Sequence, residues 1–354
     1  MRTDTRIQVE GTDLAFDAAS DRPVLDSALD AGIRLPHNCR GGICGTCRAT
    51  VVSGTLEAES SVQYALTQRE RENGVWLLCQ ARPTASDVVV RVHAPLPPQP
   101  KAADARPQTF LCETVASRPV TPRVRELVFA LPKTAGFVFK AGMHVEIAVP
   151  GIEPPRTYSM LDAPGPGGKP VDGLLRFLVA RQAPGAASAW LHETLRPGMV
   201  SSLTGPFGTF GLPERVPGPI LGLAGGTGIA PVLAVVEEAL SAGFSAPVTL
   251  VLSVRDRDEI LAMDAFSRIA RRHENFAWKV TLTREQPPPG TRFGTGRIPD
   301  MLHRVHGQLA HHTVLIAGTP GFVDACEACV QALGAAPDRI AVDSFLPADP
   351  GTPQ

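Results

Sequence analysis

The chain has 354 residues, 44 % of them hydrophobic, with a formal net charge of −1. That length predicts two or three domains, and the balanced charge offers no basic field for nucleic acid. No apolar run reaches the ~18 residues of a membrane span, and the start, Met1-Arg2-Thr3-Asp4-Thr5-Arg6, lacks the apolar core of a secretory signal. Seven cysteines in such a chain point to a reducing compartment, the cytoplasm.

In chain order, Thr5 to Phe16 alternates around Gly11-Thr12-Asp13 and predicts a hairpin. Val24 to Ala31 has helical spacing, with Gly32 as the stop. Cys39, Cys44 and Cys47 follow in one glycine-rich loop, Cys39-Arg40-Gly41-Gly42-Ile43-Cys44-Gly45-Thr46-Cys47, and Cys79 stands alone after a long gap. This C-x4-C-x2-C…C spacing suits a 2Fe–2S cluster, which needs four thiolates and a backbone able to wrap it. Zinc usually takes paired knuckles on both sides, and a chain of this size needs few disulfides, so both rank below the cluster. Arg48 to Val52 and Val88 to Val92 predict strands. The layout of residues 1–93 resembles the plant-type ferredoxin fold, a β-grasp-like module.

Residues 94–108 carry five prolines and predict a semi-rigid linker. Residues 109–213 hold short β-like runs punctuated by Gly and Pro, which predicts an antiparallel β-barrel. One helical segment interrupts it, Ala189 to Leu195. From residue 214 the rhythm turns to apolar strands alternating with helices, the pattern of a parallel α/β sheet ending near residue 346. Residues 347–354 read as a loose tail.

The second and third segments carry motifs that are weak singly. They are Arg156-Thr157-Tyr158-Ser159, Gly185-Ala186-Ala187-Ser188, Gly205-Pro206-Phe207-Gly208, Gly225-Gly226-Thr227-Gly228 and Ala317-Gly318-Thr319-Pro320-Gly321. Together, from about Thr109 to Phe345, they resemble the ferredoxin–NADP reductase family. With the N-terminal module, the whole chain resembles the reductase components of bacterial oxygenases in aromatic hydrocarbon catabolism. Benzoate and naphthalene dioxygenase reductases and methane monooxygenase reductase share this order.

The resemblance implies the following roles. Arg156 meets the FAD pyrophosphate, Tyr158 lies against the isoalloxazine, and Ser159 sits near flavin N5. Ala187 and Ser188 offer N–H groups to the pyrophosphate, and Val179 passes its backbone along the flavin. Gly226, Thr227, Gly228, Gly318 and Thr319 line the nicotinamide site, and Phe345 covers the flavin ring. Thr283-Arg284 and Arg255 are candidates for a 2′-phosphate, which tilts the expectation toward NADPH. Most relatives have Cys where this chain has Ala317.

The expected activity is electron transfer from NAD(P)H through FAD and the 2Fe–2S cluster to an oxygenase, Rieske or di-iron, or to its ferredoxin. A reductase of deoxysugar biosynthesis and a non-enzymatic module with a structural metal are the alternatives. Cys326 and Cys329 read as a small buried pair, Cys112 as core, and His311-His312 as a surface pair starting a strand.

Overall fold

The computed structural model describes residues 4–38, 40–58, 63, 65–97, 107–213, 215–291, 293–305 and 308–345. Cys39, most of the linker and the tail lie outside them. Two compact units result, residues 1–108 together with Phe207–Thr209, and the remainder.

The first unit holds β1 (Asp4–Val9), β2 (Ala15–Ala19), α1 (Val24–Asp30), β3 (Arg48–Ser53), β4 (Leu56–Glu57), α2 (Gln68–Glu72), β5 (Val75–Leu77), β6 (Arg82–Pro83) and β7 (Asp87–Val92). Gly11, with φ +73°, makes the turn that pairs Ile7 with Phe16. The main sheet runs β2-β1-β7-β3-β5, with β1 parallel to β7 and the other pairs antiparallel. Val24, Leu25, Ala28 and Leu29 of α1 are buried in the same core as Ile7, Phe16 and Val88. This mixed sheet with one helix on it is the β-grasp arrangement. Helix α2 is closed by a capping box, Thr67 to Glu70, in which each side chain takes the other residue's backbone N–H.

The second unit begins with β8 (Gln108–Thr121), β9 (Val124–Ala130), β10 (His144–Val149), β11 (Ile152–Ser159), β12 (Leu174–Ala180), α3 (Ala186–Glu193) and β13 (Val200–Phe207). Six strands in the order β11-β10-β13-β8-β9-β12 form a curled antiparallel sheet, a half-barrel. Alternating residues fill it: Cys112, Leu127, Phe129, Val145, Ile147 and Phe177 are fully buried. Phe129 and Phe177 meet edge to face at 5.9 Å. Helix α3 starts three residues before the expected Ala189, because the small Ala186-Ala187-Ser188 turn carries no apolar signal.

The chain continues through β14 (Ile220–Gly225), α4 (Ile229–Ser241), β15 (Val248–Val254), α5 (Met263–Arg272), β16 (Phe276–Leu282), β17 (Phe293–Thr295), α6 (Ile298–Val305), β18 (Thr313–Gly318), α7 (Pro320–Ala332) and β19 (Ile340–Ser344). These six strands form a wholly parallel sheet in the order β17-β16-β15-β14-β18-β19. Both faces are covered, which is why the strands read as continuous apolar runs. Residues of α4 and α5 pack on one core and residues of α6 and α7 on another. The order reverses between β14 and β18, and open α/β sheets bind ligands at such switch points, outside the carboxyl ends of the strands.

Cys326 and Cys329 lie in the α6/α7 core, 0 % and 6 % exposed. Burial pushes the Cys326 thiol up to about 12 and raises that of Cys329, so both are inert thiols. His311 and His312 sit in the turn ahead of β18, which starts at Thr313, not within the strand as expected.

Candidate functional site

The first centre is the cysteine loop. Its backbone is left-handed at Arg40, Gly42 and Gly45, with φ +53°, +79° and +71°. At Gly45 the positive φ, which L side chains rarely adopt, is what calls for glycine. Cys47 and Cys79 are buried and Cys44 is half-buried. Leu78 donates its N–H to Cys47 O at 3.1 Å, which brings Cys79 beside the loop. Gln80 Nε2 donates to Arg40 O at 2.8 Å and approaches Cys79 Sγ at 3.8 Å. The Thr46 hydroxyl is buried with no hydrogen-bond partner among the described residues. A sulfide or thiolate sulfur beside it would satisfy that donor, so the loop fits the cluster.

His37 was not singled out from the sequence. Its Nδ1 meets Leu35 O at 2.7 Å, which assigns the proton there. Nε2 then accepts from the Gly208 N–H at 3.3 Å, and Thr209 Oγ1 donates to His37 O at 2.8 Å. Burial lowers His37 to about 4, so the ring is neutral. The neighbouring Arg40 guanidinium bonds Asp26 Oδ1 at 2.8 Å and lies over the Phe207 ring at 4.4 Å. Within the first unit, Phe207–Thr209 is thus fastened to the loop at three places.

The second centre is the end of β11. Pairing sets Tyr158 opposite Val145 and Ser159 opposite His144 on β10. Burial lifts the Tyr158 phenol well above its ordinary range, so it stays neutral. Ser159 Oγ donates to Asp343 Oδ2 at 3.2 Å, and Asp343, on β19, is 5 % exposed. Two residues on, Phe345 N donates to Gly318 O at 2.7 Å. Ser159, Phe345 and Gly318 therefore meet through Asp343, a residue that sequence reasoning passed over although its neighbour Phe345 was named.

Other expected flavin contacts are placed more locally. The Arg156 guanidinium turns back to Pro154 O. Ser188 Oγ accepts from Gln182 N at 3.0 Å and donates to Gly185 O at 3.1 Å, closing the turn that opens α3. Ala187 is buried beside it. His192 Nε2 meets Val179 O at 2.8 Å, fixing α3 to β12. A Cβ on Gly185 would reach Gln182 Cβ at 2.8 Å, so this turn is tight enough to need glycine. The helix start leaves free N–H groups of the kind that hold phosphate, and Tyr158 supplies an aromatic face, so the residues fit a flavin dinucleotide.

The third centre is the crevice at the switch point. Gly226–Gly228 follows β14 and leads into α4, while Thr319 opens α7, its carbonyl accepting from Phe322 N at 2.9 Å and Val323 N at 3.0 Å. A Cβ on Gly228 would lie 2.1 Å from Ala317 O. The Phe322 ring packs so closely on Gly225 and Gly318 that a Cβ would meet it at 3.0 Å and 2.7 Å. Gly226, Thr227, Gly228, Gly318 and Thr319 are thereby gathered at one place. Ala317 is fully buried there.

Arg255, Thr283 and Arg284 form a separate cluster at the ends of β15 and β16. Thr283 N donates to Val254 O at 3.0 Å and Arg284 N to Arg255 O at 2.8 Å. Arg255 and Arg284 border a polar cleft with Pro122, Arg123, Asp256, Asp258 and Glu259. The Arg255 fork is held bidentately by Glu259, another residue that sequence reasoning missed.

Among known proteins, residues 7–84 match the 2Fe-2S iron-sulfur cluster binding domain family, and residues 223–328 match the oxidoreductase NAD-binding domain family. The electron transfer component of toluate 1,2-dioxygenase from Pseudomonas putida is 30 % identical over 346 residues, 95 % of this chain and 96 % of that one. The reductase subunit of an aromatic O-demethylase from Amycolatopsis is 30 % identical over 343 residues, 94 % and 96 % of the two chains. A solved cytochrome P450 reductase from Amycolatopsis superposes with a TM-score of 0.82 at 28 % identity, covering 98 % of this chain and all of that one.

Proposed function

The chain belongs to the reductase components of bacterial oxygenases, and from that membership we propose that it takes electrons in pairs from NAD(P)H and delivers them singly to an oxygenase component or its ferredoxin. The observation that carries this reading is the presence, in one chain, of a glycine-built thiol loop and a nucleotide crevice at the switch point of a parallel sheet. FAD, when bound, accepts an electron pair and releases single electrons, which a 2Fe–2S cluster carries onward. The relatives reported above serve a dioxygenase and an O-demethylase, which favours this reading over deoxysugar chemistry.

The division of labour follows the proposed domains: 1–93 for the cluster, 109–213 for the flavin and 214–346 for the nicotinamide, joined by the linker 94–108. Cys39, Cys44, Cys47 and Cys79 would hold the cluster, with Thr46 and Gln80 directed at its sulfurs. Arg156 and the N–H groups of Ala187 and Ser188 would hold the pyrophosphate of FAD, with Val179 alongside and Tyr158 against the ring. Ser159 has its proton committed to Asp343, so its oxygen is left as an acceptor at the reacting edge. Thr227 and Thr319, set between the close-packed glycines, orient the nicotinamide, and Phe345 shields the ring from water until it moves aside. We place the protein in the cytoplasm, with the nicotinamide pool and in a reducing compartment that suits its seven cysteines.

The direct test is catalysis by the holoprotein. Iron- and flavin-loaded protein should reduce both ferricyanide and cytochrome c at the expense of NAD(P)H. Failure with both acceptors and both nicotinamides would reject the reading.

A further inference from the structure

We infer that Gln80 tunes the reduction potential of the 2Fe–2S centre by donating to the Cys79 sulfur. This rests on the reading of the thiol loop as the cluster site. The backbone around Cys79 is pinned from two directions. Leu78 N donates to Cys47 O at 3.1 Å, while Leu25 N donates to Leu78 O at 3.0 Å and Val24 N to Ala81 O at 2.8 Å. Gln80 N and Ala81 N both donate to Leu77 O, at 2.9 and 3.0 Å, and close a tight turn over Cys79. Leu77, Leu78 and Ala81 are fully buried and Cys79 is 3 % exposed. The sulfur therefore has a fixed place, and so does the base of the Gln80 side chain.

The orientation of the Gln80 amide follows from its partner. Arg40 O lies 2.8 Å from Gln80 Nε2, and a carbonyl only accepts, so the group facing it is the NH2 and not the oxygen. Arg40 is itself held, with its guanidinium on Asp26 of α1 at 2.8 Å and over the Phe207 ring at 4.4 Å. An amide nitrogen carries two hydrogens, and one goes to Arg40 O. The same nitrogen is 3.8 Å from Cys79 Sγ, which leaves the second hydrogen for that sulfur. Gln80 thus joins the start of the loop to the last cluster cysteine, across 40 positions.

The electrical consequence has one sign. Reduction places one electron from the reduced flavin on the centre, with no bond made or broken and no proton needed. The added charge is shared with the sulfurs, and a donor beside one of them stabilises it more after reduction than before. Gln80 therefore holds the potential above the value an apolar side chain would give. It is a positioning residue, and its effect passes through Cys79.

Mediated redox titration of the holoprotein, followed by electron paramagnetic resonance of the reduced centre, counts only molecules that hold a cluster. Gln80→Leu keeps water out and removes both donors. Its one-electron equilibrium should shift against reduction by about threefold or more, about 28 mV at about 59 mV per tenfold. Gln80→Glu turns a carboxylate oxygen toward Cys79 and should shift it further the same way. Gln80→Lys restores a donor, now charged, and should shift it back upward. In deuterium oxide, electron–nuclear double resonance of the wild type should show an exchangeable coupling that Gln80→Leu lacks. A role confined to packing would leave the potential of loaded molecules unchanged, and water entering beside the sulfur would raise it. Either result for Gln80→Leu would overturn the inference. So would loss of iron from all three variants with the fold retained, which would make Gln80 an assembly residue. A wild-type holoprotein with no 2Fe–2S resonance would remove the functional reading, and the inference with it.

Discussion

Exchange of Cys44 for serine should split the activity in two. NAD(P)H-driven reduction of cytochrome c should fall by about 100-fold or more, since loss of even an outer-shell partner costs a metal site about 10–100-fold. Reduction of ferricyanide, which can take electrons before the cluster, should persist. The reason is local. Cys44 lies between Gly42 and Gly45, whose left-handed backbone fixes where its sulfur points. A hydroxyl there is a poor ligand for a centre built on thiolates. Stopped assays with both acceptors, alongside iron and flavin analysis, check the split. Equal loss of both activities with flavin retained would mean that electrons do not reach the flavin first.

The second large effect belongs to the switch-point crevice. Gly228→Ala places a methyl carbon 2.1 Å from Ala317 O and 2.5 Å from its carbonyl carbon. Both are backbone atoms of β18, which is hydrogen-bonded on each side, so the neighbour cannot simply rotate away. The junction of β14 and β18 must open, and the nicotinamide site moves with it. A displacement of about 1 Å at a reacting centre costs roughly 100-fold, and kcat/KM for NAD(P)H should fall by that order. Chemical reduction by dithionite should still bleach the visible spectrum, because Gly228 and the cysteine loop lie in different units. Gly226→Ala is the informative comparison. Its added carbon meets nothing within 4 Å, but φ is +54°, so only the strain of a left-handed alanine remains, about 1–3 kcal/mol. A milder effect at position 226 than at 228 would show that contact with Ala317, not backbone strain, sets the size of the loss.

Much of the architecture was legible because it is written in local pattern. The cysteine spacing, the hairpin about Gly11, α1 with Gly32 behind it, and the apolar strands of the parallel sheet all follow from short-range rules. Three elements were less legible. The strand β17 has three residues, too few to show a period, and α6 opens soon after it with Ile298-Pro299 in its first turn. Helix α2 buries none of its residues and was not read from the sequence; the Thr67–Glu70 box is the signal that could have found it.

The site divided along the same line. Glycines, cysteines and the Arg156–Ser159 segment stand out in sequence because their chemistry requires particular residue types. Asp343, Glu259 and His37 do not, because each acts through a partner. Asp343 meets Ser159 across 184 positions, and Gly208 meets His37 across 171. For Arg255 the partner lies close in sequence but was not read there: its fork is clasped by the Glu259 carboxylate four residues later.

The central claim is that paired electrons from a nicotinamide emerge singly through an iron–sulfur centre in the same polypeptide. Anaerobic titration of the holoprotein with NADH, followed by optical and electron paramagnetic resonance spectra, tests it most directly. The account predicts that flavin and cluster absorption bleach together and that the resonance of a reduced 2Fe–2S centre grows with each addition. A colourless, iron-free protein, or bleaching of flavin with no cluster resonance at any stage, would contradict it.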